Sequence, residues 1–336
     1  MRLKIDKIIV ALLLIAVLFL ISCEKPVESR TFLIPEKAIG TFRVDFTQIP
    51  PYDDGVVEGT PIEDFLTTFD NWLSDLGIDR ARIIELYGFI LPKTEQASDT
   101  AFAILFNLLE YDPVVFNNFT VRNPDMQEMR YENHTYWYDK TGTIAVFAKS
   151  DREIFVANQI LAMDELLELA YKQPPLHTNE DLTGFLRRHL NKALSIKSKI
   201  EIANDDEELP ILDDLRNFSC TADVGLTLKI DLTLSTSNAD LAEGIASLID
   251  GTTEVSLGLY KIGLVVTEKM EENETASTST VMEGLSTLYE ILDTVNARAR
   301  DTVVEIEIDP KISTIVELIE YWPAIQGFFS SDQGDR

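Results

Sequence analysis

The hydrophobic and polar positions of this chain follow two rhythms, one typical of strands and one typical of helices. Strict alternation is clearest in Thr302–Ile308, where Val304 and Ile306 are separated by Glu305. Because successive side chains of a strand point to opposite faces, this pattern predicts a strand with one face in water. Further strands are predicted at Ile39–Phe46, Ala101–Leu108, Arg130–Tyr138, Thr143–Ala148, Glu153–Ala157 and Val255–Val266, and one long strand or a hairpin at Phe218–Leu234.

Apolar residues spaced three and four apart predict helices between these strands. Thr60, Pro61 and Glu63 form a helix start with a capping box, and Gly77 is expected to end that helix. Other helices are predicted at Ala81–Tyr87, Gln159–Tyr171, Glu180–Leu190 after the candidate cap Thr178, Leu241–Asp250 with caps Ser237 and Asp240 and an end at Gly251, Val281–Val295, and from Asp309 to about Gln326. Glu268–Ser279 is expected to be a loop, and the tail after Gln326 to be loose.

The order of these elements predicts an α+β fold. A strand, a short polar turn and an amphipathic helix follow one another at Glu153–Tyr171, Thr227–Asp250 and Val303–Tyr321. Hairpins within these stretches favour antiparallel sheets with helices packed on one face, built from loosely repeated strand-turn-helix units. A doubly wound parallel sheet is disfavoured, because it requires steady alternation of strand and helix.

The composition of the chain divides it into four segments. Residues 1–22 form a candidate signal peptide and residues 23–36 a polar tether, followed by α+β domains at 37–200 and 210–325. The boundary between the two domains is placed where basic residues give way to the acidic run 204–208, before Pro210. This acidic run is interpreted as solvated surface. A calcium site is the alternative, although the ordered ligand spacing of a calcium loop is absent.

The first residues combine basic side chains with a short apolar run. Arg2, Lys4 and Lys7 precede the uncharged stretch Ile8–Ile21, which has 14 residues. A helix of that length reaches about 21 Å, less than the roughly 30 Å hydrocarbon core of a bilayer. A charged start followed by a short apolar run is typical of a removable signal peptide. The run ends in Leu20-Ile21-Ser22-Cys23.

This tetrapeptide resembles the lipobox of bacterial lipoproteins. The resemblance implies that Cys23 receives a diacylglycerol, that the chain is cut before it, and that acyl chains such as palmitate hold the mature protein on a membrane. It also implies a location in the cell envelope, with the folded part outside the cytoplasm. The alternative is an uncleaved anchor with a chance cysteine. Separately, the pattern of Thr143–His189 resembles exported bacterial domains of unknown function.

The net charge of the protein limits the kinds of partner that it can bind. The formal charge is −28, and removing residues 1–22 takes away three basic groups and one acidic group, which leaves −30. Nucleic acid is excluded as a partner, because phosphate binding requires clustered Lys and Arg. The same acidity disfavours peripheral binding to anionic lipid, so the acyl chains are expected to hold the protein on the membrane.

The sequence contains no motif for a cofactor or for catalysis, so no cofactor and no catalytic residue are predicted. His134, His177 and His189 lack metal-ligand spacing, and Cys220 is interpreted as a small buried apolar residue rather than a nucleophile. Several aromatic residues are interpreted as part of the hydrophobic core. The alternative is that they line a ligand-binding cavity. They are Phe102, Phe106, Phe116, Tyr136, Trp137 and Tyr138.

Three functions are compatible with these observations. The first is a non-catalytic envelope lipoprotein that binds or assembles with an envelope protein partner. The second is a carrier of a lipid or another apolar ligand, held between the sheet and the helices. The third is an exported hydrolase with an acidic site that no motif marks.

Overall fold

The computed structural model describes residues 32–49, 67–71, 73–74, 76–92, 100–110, 126–139, 144–172, 178–200, 214–268 and 276–331. These residues form an α+β fold in which the strands pair in antiparallel fashion, as predicted. The strands are β1 (Gly40–Asp45), β2 (Ile83–Ile90), β3 (Phe102–Leu108), β4 (Met126–Tyr131), β5 (His134–Asp139), β6 (Ala145–Ala148), β7 (Glu153–Ala157), β8 (Leu194–Lys199), β9 (Leu215–Val224), β10 (Leu228–Thr236), β11 (Asn296–Arg300) and β12 (Val303–Ile308). The helices are α1 (Ile160–Tyr171), α2 (Glu180–Arg188), α3 (Ala239–Glu268), α4 (Ala276–Leu292) and α5 (Ile312–Ser331).

The chain divides into two compact units at Lys199–Ile200. This division falls inside the stretch in which the composition changes. The described part of unit 1 therefore carries strands β1–β8 with α1 and α2, and that of unit 2 carries β9–β12 with α3, α4 and α5.

Unit 1 is built on strands in the order β8-β1-β2-β3-β7-β6-β5-β4. Its core cluster joins aromatic and aliphatic residues of β2, β3, β6 and β7 to the buried sides of α1 and α2. The strands approach one another closely at Gly88, where an added Cβ would lie 2.2 Å from the Ala103 carbonyl oxygen and 2.5 Å from the Phe42 ring. A larger residue would force these three strands apart.

Unit 2 has the strand order β11-β12-β10-β9. Ala242 and Ala246 of α3 pack against Ala297, Val304 and Ile306 of the strands, so small helical residues allow a close approach to the sheet. In β12 the residues Glu305 and Glu307 are exposed, which confirms the predicted strand with one wet face. Helices α4 and α5 pack against each other.

Several predicted boundaries are confirmed by hydrogen bonds. Gly77 ends the first helical segment with a left-handed φ of 71°, and the Ile78 amide donates back to the Leu73 carbonyl at 2.8 Å. Strand β7 and helix α1 lie where the pattern placed them. The caps differ from those predicted: Asn179, rather than Thr178, accepts from the Leu182 amide. Asn238, rather than Ser237 or Asp240, accepts from the Leu241 amide.

The predicted helix Ala81–Tyr87 is wrong. Arg80–Arg82 form a single 3-10 turn capped by Asp79, and the chain then continues as β2. This strand is paired on both sides, with β1 and β3, and most of its consecutive residues are buried. A strand buried on both faces has no period of two, and its short apolar run is difficult to distinguish from a helix.

The predicted strand Val255–Val266 is also wrong, because α3 continues through it to Glu268. Gly251 does not end the helix. A Cβ at this position would have nothing within 4 Å, so the glycine only weakens the helix, by about 1 kcal/mol relative to alanine. The β-branched residues that suggested a strand are tolerated in a helix once a long helix is established.

Four further differences from the predictions are found. Arg130–Tyr138 is not one strand but parts of two, because Glu132 turns the chain with a left-handed φ of 51°. Strand β11 was missed, since Asn, Ala and Arg are poor markers of strands. Helix α5 continues to Ser331, so the expected loose tail after Gln326 begins as helix. Helix α4 likewise begins at Ala276, inside the predicted loop Glu268–Ser279.

Candidate functional site

The residues singled out from the sequence are not brought together into one site. Cys23, the acidic run 204–208 and His177 lie outside the described residues. His134 begins β5, and His189 follows the last turn of α2, where its Nδ1 lies 2.9 Å from the Phe185 carbonyl oxygen. Within the described ranges, no group of three or more His, Cys, Asp and Glu residues is placed to hold a metal ion.

Cys220 is a buried free cysteine in β9, as expected. Burial raises the pKa of its thiol to about 12, and the nearby Asp231 carboxylate contributes in the same direction. At neutral pH the sulfur is therefore protonated and a poor nucleophile.

The aromatic residues considered as a cavity lining differ in their exposure. Phe106 and Tyr136 are buried, and Tyr136 is part of the core cluster of unit 1. Phe102, Trp137 and Tyr138 are half-buried, and Phe116 lies outside the described residues.

The structure adds a feature that was not anticipated, a buried charge network in unit 1. In β1 the residues Thr41, Arg43 and Asp45 alternate with Phe42 and Val44, so the three polar side chains share one face of the strand. All three are at most 1% exposed. The strand register then places Asp45 opposite Glu85 of β2, and Glu85 opposite Asn107 of β3.

The Arg43 guanidinium holds this network together. Its Nε donates to Glu85 Oε1, and one terminal nitrogen donates to Asp45 Oδ2 at 2.6 Å. The other terminal nitrogen donates to the carbonyl oxygen of Lys192 at 3.1 Å, in the turn between α2 and β8. One side chain thus connects β1 and β2 with the segment that leads into β8.

The remaining oxygens of the two carboxylates are also engaged. Asn107 Nδ2 donates to Glu85 Oε2 at 3.0 Å. Asp45 Oδ1 accepts from the amide of Thr47 at 3.0 Å and from its hydroxyl at 2.6 Å. Both acids are hydrogen-bonded and enclosed, so neither reaches a substrate in this conformation. The arrangement is suited to holding strands in place rather than to acid-base chemistry.

A second feature lies where the β4–β5 hairpin meets α1. Side chains of the hairpin alternate, so that one side faces the core cluster and the other carries Glu128 and Arg130. The contact, which we call the hairpin interface, comprises Met129, Tyr131, His134, Tyr136 and Tyr138 of the hairpin and Asp164, Glu168 and Tyr171 of α1. Most of these residues have an apolar body and a polar tip.

Two contacts define the geometry of the hairpin interface. The Tyr136 hydroxyl donates to Asp164 Oδ1 at 3.0 Å. The His134 ring stacks on the Tyr171 ring with centroids 3.7 Å apart, and Phe147 of β6 meets the His134 ring edge to face at 6.0 Å. Burial raises the pKa of Asp164 above its ordinary value, and it also raises the pKa of Tyr136 and of Tyr171.

No known protein family matches the sequence, and no curated protein does so either. Two solved structures are similar at a distance. The structure of crystal form III of TP0453 has a TM-score of 0.43 and 10% identity, covering 88% of this chain and 99% of that chain. Crystal form IV of TP0453 has a TM-score of 0.42 and 10% identity, covering 85% of this chain and 94% of that chain. A likeness of this degree supports no conclusion about function. In the described residues, no helix is both long and apolar enough to cross a membrane.

We expect Arg43→Met to lower the free energy of unfolding of unit 1 by about 3–5 kcal/mol, because it leaves Asp45 and Glu85 buried without their cation. Urea denaturation followed by circular dichroism measures the change. Arg130→Met is the matched control within unit 1, since Arg130 pairs with Glu128 at the surface, 75% and 46% exposed. The control variant should lose about 1 kcal/mol or less. If Arg43→Met is as stable as the control, the network does not stabilise the unit.

Proposed function

We propose that this chain is a bacterial envelope lipoprotein, anchored through acyl chains on Cys23, with its folded part outside the cytoplasm. The observation that carries the proposal is the sequence Leu20-Ile21-Ser22-Cys23 at the end of a short apolar run behind three basic residues. Two or more acyl chains provide stable attachment, which one chain alone does not. Electrostatic attraction to anionic lipid offers little help to a chain of charge −28.

We propose further that the folded body binds a partner and does not act as an enzyme. Two observations support this. The carboxylates of Asp45 and Glu85, the acids most deeply buried in unit 1, are fully engaged by Arg43, Asn107 and Thr47. The hairpin interface, in contrast, leaves part of its Met129, Tyr131 and Tyr138 side chains accessible at its edge, and Tyr and Met are enriched where proteins bind partners. An envelope protein is the proposed partner, and a nucleic acid is not.

A carrier of an apolar ligand is the second candidate. It is favoured by Met129, Tyr131 and Tyr138, which are half-buried and pack against the core cluster of unit 1. The exported hydrolase remains a third possibility without a specific contact that favours it. Neither candidate requires a cofactor.

We also propose that the helices cover one face of the sheet and that the fold is assembled from repeated strand-turn-helix units. The order of elements supports the second idea, since β7 leads to α1, β10 to α3 and β12 to α5. The packing of α3 on β11 and β12 supports the first.

The anchor is tested by Cys23→Ala in the native host. We expect this variant either to leave the membrane fraction or to retain residues 1–22, because no sulfur is available for the thioether. Fractionation followed by mass analysis distinguishes these results from wild type. Cys220→Ala is the matched control, since it removes the other cysteine from a buried position, and it should stay anchored. A Cys23→Ala protein that remains on the membrane at the wild-type mass would contradict the proposal.

Binding is tested by crosslinking in living cells of the host, followed by purification under mild conditions. The lipoprotein proposal predicts one envelope protein that copurifies with wild type and is lost when Tyr131 and His134 are both changed to Ser. Mass spectrometry of an organic extract of the same material tests the carrier candidate, which predicts a bound apolar molecule. If neither a protein partner nor a bound apolar molecule is found and the protein hydrolyses an ester or a glycan, the hydrolase candidate is supported instead.

A further inference from the structure

The two strands of the β4–β5 hairpin pair fully with each other, but among the described residues few backbone hydrogen bonds join the hairpin to the rest of unit 1. Its two strands pair with each other from Met126↔Asp139 to Tyr131↔His134. Toward the sheet, β5 pairs with β6 at Trp137↔Val146 and Tyr138↔Ala145. Strands β3 and β7, by comparison, are paired along most of their length. Among the described residues, the hairpin can therefore move as a single body at a smaller loss of backbone hydrogen bonds than β3 or β7.

Side chains supply most of the remaining attachment. Helix α1 lies closest to β7, β3 and β6, and it reaches the hairpin through the long side chains of the hairpin interface. The Tyr136 hydroxyl on Asp164 and the His134 ring on Tyr171 hold the two surfaces together. Because Tyr and His side chains have polar tips, they are hydrated more easily on separation than aliphatic residues are.

We infer that the β4–β5 hairpin is a pH-sensitive flap, latched on α1 by the Tyr136–Asp164 hydrogen bond, which opens as a unit while β3 and β7 stay folded. Local openings of this kind occur at free energies well below that of global unfolding. The closed hairpin leaves the Asp164 carboxylate poorly hydrated, the hydrogen bond from Tyr136 partly stabilises its charged form, and Glu165 adds like charge on the same helix. Opening returns this carboxylate to water.

The direction of the pH effect follows from Asp164. Burial in the closed hairpin raises its pKa above the ordinary value of 3.8. Closure is therefore most favourable below that value, where Asp164 is protonated in both states, and it weakens as the pH rises through the raised pKa. The other titratable and charged groups at the contact are Tyr131, Glu132, His134, Tyr136 and Tyr138 from the hairpin and Glu165, Glu168, Tyr171 and Lys172 from α1. Two more groups lie beside them: Lys37, before β1, pairs with Glu165, and Glu153 of β7 lies near Tyr171.

Hydrogen exchange of the mature chain, read by mass spectrometry and corrected for the intrinsic rate at each pH, tests the inference. In wild type the amides of β4 and β5 should exchange together and faster than those of β3 and β7. Their protection should fall as the pH rises from below 3.8 through the raised pKa of Asp164. Asp164→Asn keeps an oxygen acceptor for Tyr136 without the charge, so the hairpin of this variant should lose the pH dependence.

Tyr136→Phe tests the latch itself. Losing a hydrogen bond to a charged group should raise the opening constant of the hairpin on the order of 10- to 100-fold, with β3 and β7 unchanged. Thr135→Val is the matched control, because it removes a hydroxyl from the exposed side of the same strand and should change little. The inference is overturned if the wild-type hairpin is as well protected as β3 and β7, or if its protection is independent of pH. These two wild-type results decide the matter even where a variant fails to fold.

Discussion

The interaction on which unit 1 depends is that of one buried guanidinium with two buried carboxylates. Arg43 stands between Asp45 and Glu85, which face each other across β1 and β2 and would repel each other without it. A charge in a dry interior is costly unless it is paired and hydrogen-bonded, and here the partners come from β1, β2, β3 and the turn before β8. The network is thus satisfied in only one register of the strands, because a slip of one residue would turn Arg43 toward the opposite face. The network therefore helps to define the register of the strands in addition to any effect on the free energy of unfolding.

The network lies in β1, β2 and β3, away from the β4–β5 hairpin that we propose as the partner-binding part of unit 1. Strands β1, β2 and β3 are fixed by buried charges and by the close approach at Gly88. The β4–β5 hairpin lies at the other end of the strand order and is attached by tyrosine and histidine contacts. Binding surfaces are often carried by elements of lower local stability, and a hairpin attached to a more extensively paired sheet fits that pattern.

The sequence predicted elements well wherever amphipathic periodicity was intact. Helix α1 and strands β7 and β12 fall where their patterns placed them, and Gly77 ends its helix as expected. The failures have physical causes. Strand β2 is buried on both sides and lacks alternation, α3 runs through Gly251, and Glu132 makes a tight turn without glycine or proline to mark it. Tertiary packing overrides local preference in β2, whereas α3 passes Gly251 because an established helix continues.

The candidate sites were less accessible to prediction than the fold. Arg43 and Asp45 stand two residues apart in an apolar strand, and that spacing was the available signal for a buried pair. Glu85 and Asn107 come from strands distant in sequence, so only the register of the folded sheet reveals the network. The hairpin interface likewise depends on a contact between Tyr136 and Asp164 that no local pattern encodes.

The proposed role depends above all on Cys23, because the proposed anchor would place the acidic body beside a bilayer and would define which partners it meets. The most direct measurement is the intact mass of the protein extracted from membranes of its own host. The account predicts a chain that begins at Cys23 and carries the added mass of a diacylglycerol with its acyl chains. A chain that retains residues 1–22, or one that begins at Cys23 with a free thiol, would contradict it.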